Sequence, residues 1–326
     1  MGSPDPPETK ALAERVASLV PGVRAGERSA VARALNLVED RRPQARPLVA
    51  ALLTALAGGR AEGHRIGLTG PPGVGKSTLV SVLAAALRSR GHSVGVLAVD
   101  PSSRRSGGAL LGDRARIDTN PDDQGLFVRS LATAGELGGL ARAAPAAVMV
   151  LAAAFDRVIV ETVGVGQSET DVEHVVDTVV FVVQPGSGDA LQFLKAGIME
   201  IPDLVVVNKA DMGEAAQRAR AELLGVVRVA HSAGLSTSAL AGGSDVVLVS
   251  ATRREGIDGL VNALNRHRDA QAASGALAER RVQGQVEWGL RELVRRVGEE
   301  GLQREGGRGA ARARIEAQVR KGTAPL

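Results

Sequence analysis

Residues 70–77 read Gly-Pro-Pro-Gly-Val-Gly-Lys-Ser, the spacing G-x-x-x-x-G-K-[ST]. The flanks fit it: Ile66-Gly67-Leu68-Thr69 before it is strand-like, and Thr78 to Leu87 after it has helical character. A strand that turns sharply into a helix aims several backbone N–H groups and the positive helix end at one place, which suits a phosphate chain. The glycines let the backbone close around the phosphates without a Cβ in the way. In this pattern the Lys76 ammonium reaches the β- and γ-phosphates and the Ser77 hydroxyl ligates Mg²⁺. Gly70, Pro71, Pro72, Gly73, Val74, Gly75, Lys76, Ser77 and Thr78 are therefore the candidate phosphate-binding residues.

The base is read further along. Residues 203–207 form an apolar strand-like run, followed by Asn208-Lys209-Ala210-Asp211. A carboxylate at Asp211 accepts from guanine N1–H and the N2 amino group. Adenine has no such donor pair and would leave a buried acceptor unpaired. The Lys209 stem can lie over the purine face, and Asn208 can tie this loop to the phosphate loop. Ser250 and Ala251, after another strand-like run, complete the candidate nucleotide contacts. Both motifs follow strands, and ligands of open α/β sheets collect at the carboxyl ends of strands.

Between the motifs, residues 62–265 alternate strand and helix. Strands are expected at 65–69, 94–99, 126–130, 157–161, 178–184, 203–207 and 246–249. Runs such as Val179-Val180-Phe181-Val182-Val183 predict a mostly parallel sheet covered on both faces, an α/β fold of the P-loop nucleoside-triphosphatase class with helical extensions at both ends. Asp100 is expected at a strand end next to the phosphate loop, where it would hold Mg²⁺ directly or through water. A Gly-rich loop follows, with Asp113 as its metal or water contact and Arg116 as its phosphate or partner contact. The strand at 157–161 ends in Glu161-Thr162-Val163-Gly164, the form D-x-x-G with Glu in place of Asp. Glu161 can reach the metal, and the Gly164 N–H the γ-phosphate. Lys76, Asp113, Glu161 and Gly164 are thus the catalytic candidates, and Ser77, Asp100, Asp113 and Glu161 the metal candidates. Val165 stands where nucleotide switches often carry the Gln that orients the attacking water, with Gln167 close but offset, so slow hydrolysis is expected until another surface completes the site.

The rest of the chain sets limits. It has 326 residues, 44% of them hydrophobic, and a formal net charge of +4. No basic run with interleaved aromatics stands out, so no nucleic-acid partner is expected. With no Cys, disulfides and thiolate metal sites are excluded. The longest apolar stretch, Ala143 to Phe155, is interrupted by Pro145 and too short for a bilayer. The polar, Pro-rich beginning has no apolar signal core, and a cytoplasmic protein without a membrane partner is expected. Only five lysines occur, and two lie in the motifs above. Lys195, after another strand end, attracts attention for that reason. Residues 8–58 are helical in period: Leu12, Val16, Leu19 and Val20 share one face and Val31, Leu35 and Val38 another. Breaks are expected at Pro21-Gly22, Gly26 and Pro43/Pro47. After residue 266 two helical stretches are expected, near 270–300 and 308–320, joined at Gly306-Gly307-Arg308-Gly309. Three parts follow: an N-terminal helical extension (1–60), a nucleotide-binding domain (61–265) and a C-terminal helical arm (266–326).

Taken together, Gly70 to Thr78, Val99-Asp-Pro-Ser-Ser103, Ser106-Gly-Gly108, Leu111-Gly-Asp-Arg114, Glu161 to Glu169 and Asn208-Lys-Ala-Asp211 resemble the MeaB/ArgK group of GTPases. These are G-protein chaperones of adenosylcobalamin-dependent methylmalonyl-CoA mutase. The resemblance covers nearly the whole chain. It implies GTP/GDP and Mg²⁺ as ligands, and slow hydrolysis that a bound mutase accelerates. It also implies gating of cofactor loading, protection of the mutase, and a homodimer built through the C-terminal arm. By the same resemblance Asp189, Gln192 and Lys195 couple nucleotide state to the mutase, with Arg116 as the partner contact of the Gly-rich loop. The sequence departs from the group at Ala115, Ala190 and Ala196, which bears on communication with the partner and on which acyl-CoA mutase is served. A nickel-insertion GTPase would need metal ligands, yet the five histidines (His64, His92, His174, His231, His267) have no spacing for one helical face. A small-molecule or protein kinase would need a phosphoacceptor pocket, which no motif suggests. A purely helical scaffold would not need the phosphate loop.

Overall fold

The computed structural model describes residues 6–57, 63–100, 122–132, 142–162, 171–186, 202–232 and 246–325. Its strands are β1 (His64–Thr69), β2 (Val94–Asp100), β3 (Leu126–Ala132), β4 (Arg157–Glu161), β5 (Thr178–Val183), β6 (Leu204–Val207) and β7 (Val246–Leu248). They lie at the seven expected places, with ends shifted by no more than about two residues, as boundary assignments commonly are. One sheet results, in the order β3-β2-β4-β1-β5-β6-β7, with every pairing parallel. β1, β4, β5 and β6 are buried along their whole length.

The helices are α1 (Pro6–Arg24), α2 (Arg28–Glu39), α3 (Arg46–Ala57), α4 (Lys76–Arg88), α5 (Ala144–Ala154), α6 (Glu214–Ser232), α7 (Ile257–Ser274), α8 (Ala276–Arg304) and α9 (Gly307–Arg320). Alternate strand residues feed two cores, because successive side chains of a strand point to opposite faces. Leu97, Val99, Val158 and Val160 pack with α5, and through it with Val31, Leu35, Leu52 and Leu53 of α2 and α3. Val96, Ala98 and Ile159 pack on the other face with Leu79 and Leu83 of α4 and Leu260 and Leu264 of α7. α5 is apolar on nearly every side because it is enclosed between sheet and helices. α6 covers the β5–β7 end.

Two helix boundaries differ from expectation. Pro21 does not break α1, which runs through it to Arg24. Pro21 lies in the last turn, where its missing N–H costs the helix one i→i−4 hydrogen bond, and the chain turns at Gly26 with φ 71°. The C-terminal region is broken at Gly275, whose left-handed φ of 77° separates α7 from α8. The sequence pattern placed no break there, and α8 itself passes a non-helical Gly298. The side chain of Leu12 lies outside the described residues.

α8 is fastened to the amino ends of two neighbouring strands by consecutive arginines. Arg281 donates to both carboxylate oxygens of Asp177, at 2.8 and 2.7 Å, just before β5. Arg280 donates to Asp203, at 2.9 Å, just before β6. Both carboxylates also cap backbone N–H groups, of Arg65 and Val179 respectively. Gly284 lets α8 approach closely, since a Cβ there would lie 2.1 Å from the His174 carbonyl oxygen.

Burial raises the Asp177 pKa, but the Arg281 hydrogen bonds and the charges of Arg65 and Arg281 outweigh it and the net shift is downward. Its folded pKa is thus below its unfolded one, so its stabilisation is present above the unfolded pKa and lost as pH falls through the folded value. His64 is held down to about 3, first by desolvation, so below its usual 6.5 protons bind the unfolded chain preferentially. Both groups make acid destabilising. Asp177→Asn is expected to cost roughly 3 kcal/mol at neutral pH, because it leaves a guanidinium without its buried counter-charge. Urea unfolding would read this as a lower midpoint, with a shallower loss of stability on the acid side. A variant as stable as the parent would show that the pair does not hold α8.

Candidate nucleotide site at the carboxyl ends of the strands

The loop after β1 turns into α4 at Gly75, whose φ of 90° is left-handed. A Cβ at that position would lie 2.6 Å from Asn208 Nδ2, so the two motifs require a glycine where they meet. Lys76 is buried, and its Nζ donates to the carbonyls of Gly70 (2.7 Å) and Pro71 (3.0 Å). The ammonium is thereby held against the loop that would receive phosphates.

Ser77 Oγ donates to Glu161 Oε1 at 2.6 Å. β1 and β4 are neighbours, with Leu68 opposite Glu161, and this register brings the first turn of α4 beside the end of β4. A hydroxyl and a carboxylate, both hard oxygen donors, therefore meet at a helix N-terminus, a donor set that suits Mg²⁺. Asp100 ends β2. It was expected next to the phosphate loop, but β4 stands between β2 and β1. The parallel crossover puts β4 in the middle, so Glu161 holds the near position. The side chain of Asp100 lies outside the described residues.

The base-side residues form a hydrogen-bonded set. Asn208 Nδ2 donates to the Val74 carbonyl (2.8 Å), and its Oδ1 accepts from the Ala251 N–H (3.1 Å). One buried amide thus joins the phosphate loop, the end of β6 and the segment after β7. Lys209 adopts a left-handed φ of 60°, rare for a residue with a Cβ and of the kind found where a site imposes a conformation. Its Nζ donates to Gly73 O at 3.1 Å and to the Gln184 side-chain oxygen. Asp211 is exposed and accepts from Ser250 Oγ. That hydrogen bond, above all, holds its carboxyl below the usual carboxylate range. Asp211 therefore faces solvent as an ionised acceptor. Thr78, Pro72 and Gly73 are exposed at the same end of the sheet.

Gln184 was not assigned to the nucleotide site from sequence. It directly follows the apolar run of β5, and the strand-end rule applied there would have pointed to it. Asp113, Arg116, Gly164, Asp189, Gln192 and Lys195 lie outside the described residues, as do Val165 and Gln167. Among the described residues no helix is long and apolar enough to cross a membrane.

The family model described as methylmalonyl Co-A mutase-associated GTPase MeaB matches residues 31–303. A probable GTPase of Mycobacterium tuberculosis is 41% identical over 279 residues, covering 84% of this chain and 81% of that protein. The mitochondrial methylmalonic aciduria type A homolog of Mus musculus is 35% identical over 283 residues, covering 83% of this chain and 67% of that protein. Among solved structures, a LAO/AO transport system kinase superposes with a TM-score of 0.68 at 30% identity, covering 95% of this chain and 93% of that one.

Proposed function

The chain belongs to the MeaB family of P-loop GTPases, and from that premise we propose that it is a GTP-hydrolysing chaperone of a cobalamin-dependent acyl-CoA mutase, methylmalonyl-CoA mutase first among them. The observation that carries the nucleotide reading is the Asn208 bridge, which fixes the phosphate loop and the base-side loop in one unit. The client reading rests on the description of the family model and on the mouse relative.

In this reading the backbone N–H groups of residues 73–78 cradle the phosphates, and Lys76 moves from its loop carbonyls to the β- and γ-phosphates. Ser77 and Glu161 would hold Mg²⁺, which when bound neutralises charge on the phosphate oxygens. Asp211 accepts hydrogen bonds from guanine N1–H and the N2 amino group, while Asn208 and Ser250 keep the loop in place. Asp113 and Gly164 would complete the γ-phosphate side. Arg116, Asp189, Gln192 and Lys195 would report nucleotide state to the partner. A homodimer through the C-terminal helices belongs to the same proposal, as does the division into helical extension, GTPase domain and arm.

The test is GTP turnover by the purified protein, alone and with methylmalonyl-CoA mutase from the same source. Slow turnover that rises by about tenfold or more with the mutase is expected, since a partner-supplied group can be worth that much or far more. Turnover that the mutase leaves unchanged would overturn the methylmalonyl-CoA mutase assignment and turn attention to Ala190 and Ala196. Transfer of phosphate from ATP to a substrate would replace the GTPase chaperone reading with a kinase.

A further inference from the structure

A cavity of about 270 Å³ lies where the N-terminal helices, α5 and α8 meet, and none of its residues belongs to the nucleotide motifs. Its apolar wall is made by Val38, Pro47, Val49, Ala146 and the ring of Trp288. Trp288, Glu292 and Arg296 line it from one face of α8, each a helical turn further on.

The charges around this cavity are not balanced. Its three acidic residues are each already held: Glu39 by Arg129, Asp40 by Arg42, and Glu292 by Arg142 and Arg295. Of its four arginines, Arg142 is taken up by Glu292, whereas Arg41, Arg46 and Arg296 make no ion pair or hydrogen bond with a described residue. All three are exposed and line the cavity, whose other walls include Val38, Val49, Ala146 and Trp288. The indole N–H of Trp288, buried in the wall, also has no acceptor among the described residues.

An apolar recess with a few convergent polar groups is the ordinary form of a small-molecule site. Guanidiniums at its mouth select anions, because they offer forked donors to carboxylate, phosphate or sulfonate oxygens. We propose that this cavity binds a small organic anion with a flat apolar body. The body enters against Trp288, Val38 and Val49, and the anionic head stays at the rim with Arg41, Arg46 and Arg296. The site is separate from the nucleotide and stands whether or not the client assignment above is right. A ligand seated there would touch α2, α3, α5 and α8 together, and so join the N-terminal helices to the C-terminal arm.

Trp288 is the single tryptophan of the chain, so it reports on the cavity directly. The probe is 1-anilinonaphthalene-8-sulfonate, a flat apolar anion, titrated into the full-length protein with excitation of the tryptophan. The expected result is saturable probe emission sensitised by Trp288. The double variant Arg46→Glu with Arg296→Glu should weaken binding by about tenfold or more. Both residues are exposed, so the fold should survive the change. Ala50→Phe, which fills the recess from its half-buried edge, should abolish binding while urea unfolding shows the fold retained. The uncharged N-phenyl-1-naphthylamine should bind more weakly than the sulfonate. Absence of sensitised emission, or emission indifferent to both variants, would overturn the site. Equal binding of the uncharged probe would overturn its selection for anions.

Discussion

Lys76→Ala is expected to leave a folded protein whose GTP turnover is lower by about a thousandfold or more, the scale seen when a preorganised charge on the reacting phosphates is removed. The lysine is buried, and its ammonium donates to the Gly70 and Pro71 carbonyls six and five residues away. Its loss therefore frees two loop carbonyls that water can reach as the loop relaxes. The fold keeps the sheet and the Asn208 bridge, neither of which uses this ammonium. Nucleotide binding should weaken as well, since nothing else described in the loop carries a full positive charge. Lys76→Arg should not rescue turnover, because a planar guanidinium replaces a compact ammonium in a close-fitting backbone loop. Turnover and nucleotide titration on both variants, with a urea melt as control, decide the matter. Wild-type turnover in Lys76→Ala would remove the phosphate loop from the mechanism.

Asp211→Asn is expected to exchange base preference. The carboxylate offers two acceptor oxygens to guanine N1–H and N2–H. An amide keeps one acceptor and sets a donor against a donor, which costs about 2–4 kcal/mol, or roughly 30- to 1,000-fold in affinity. Xanthine carries a carbonyl where guanine has its amino group, so the amide donor finds an acceptor and XTP binding should gain what GTP binding loses. Ser250 helps this exchange, because its hydroxyl rotates to serve either oxygen or amide. The fold is not at stake, since Asp211 is exposed and its described partner is one side chain. Competition of GTP and XTP for the variant gives the answer, and unchanged GTP preference would remove Asp211 from base recognition.

Much of the fold was legible because local chemistry and tertiary structure agree. A phosphate loop needs glycine at a left-handed position, a lysine and a hydroxyl in fixed order, and these are contiguous. Buried parallel strands need unbroken apolar runs, and seven such runs stood out. Pro21 misled because α1 continues through it to Val23, which packs in the core, and sequence does not show that packing. Gly275 was passed over because a single glycine between helical periods reads alike in a helix and at its end. Gln184 escaped the site because its role depends on Lys209, which reaches it only after β5 and β6 pair.

What the sequence alone determined is the chemistry held within single short segments: the phosphate loop, the guanine-reading loop, and the strand that precedes each. The sequence implied that Asn208 ties its loop to the phosphate loop; what only the tertiary structure decided is which atoms meet across the chain. Ser77 meets Glu161 because β1 and β4 are neighbours, Asn208 reaches Val74 because β6 ends near the loop after β1, and Asp177 and Asp203 receive Arg281 and Arg280 because α8 returns to the sheet's amino end. The division is physical. A motif fixes backbone dihedrals and side-chain type over a few residues, whereas distant side chains meet only when strand order and helix packing bring their segments together.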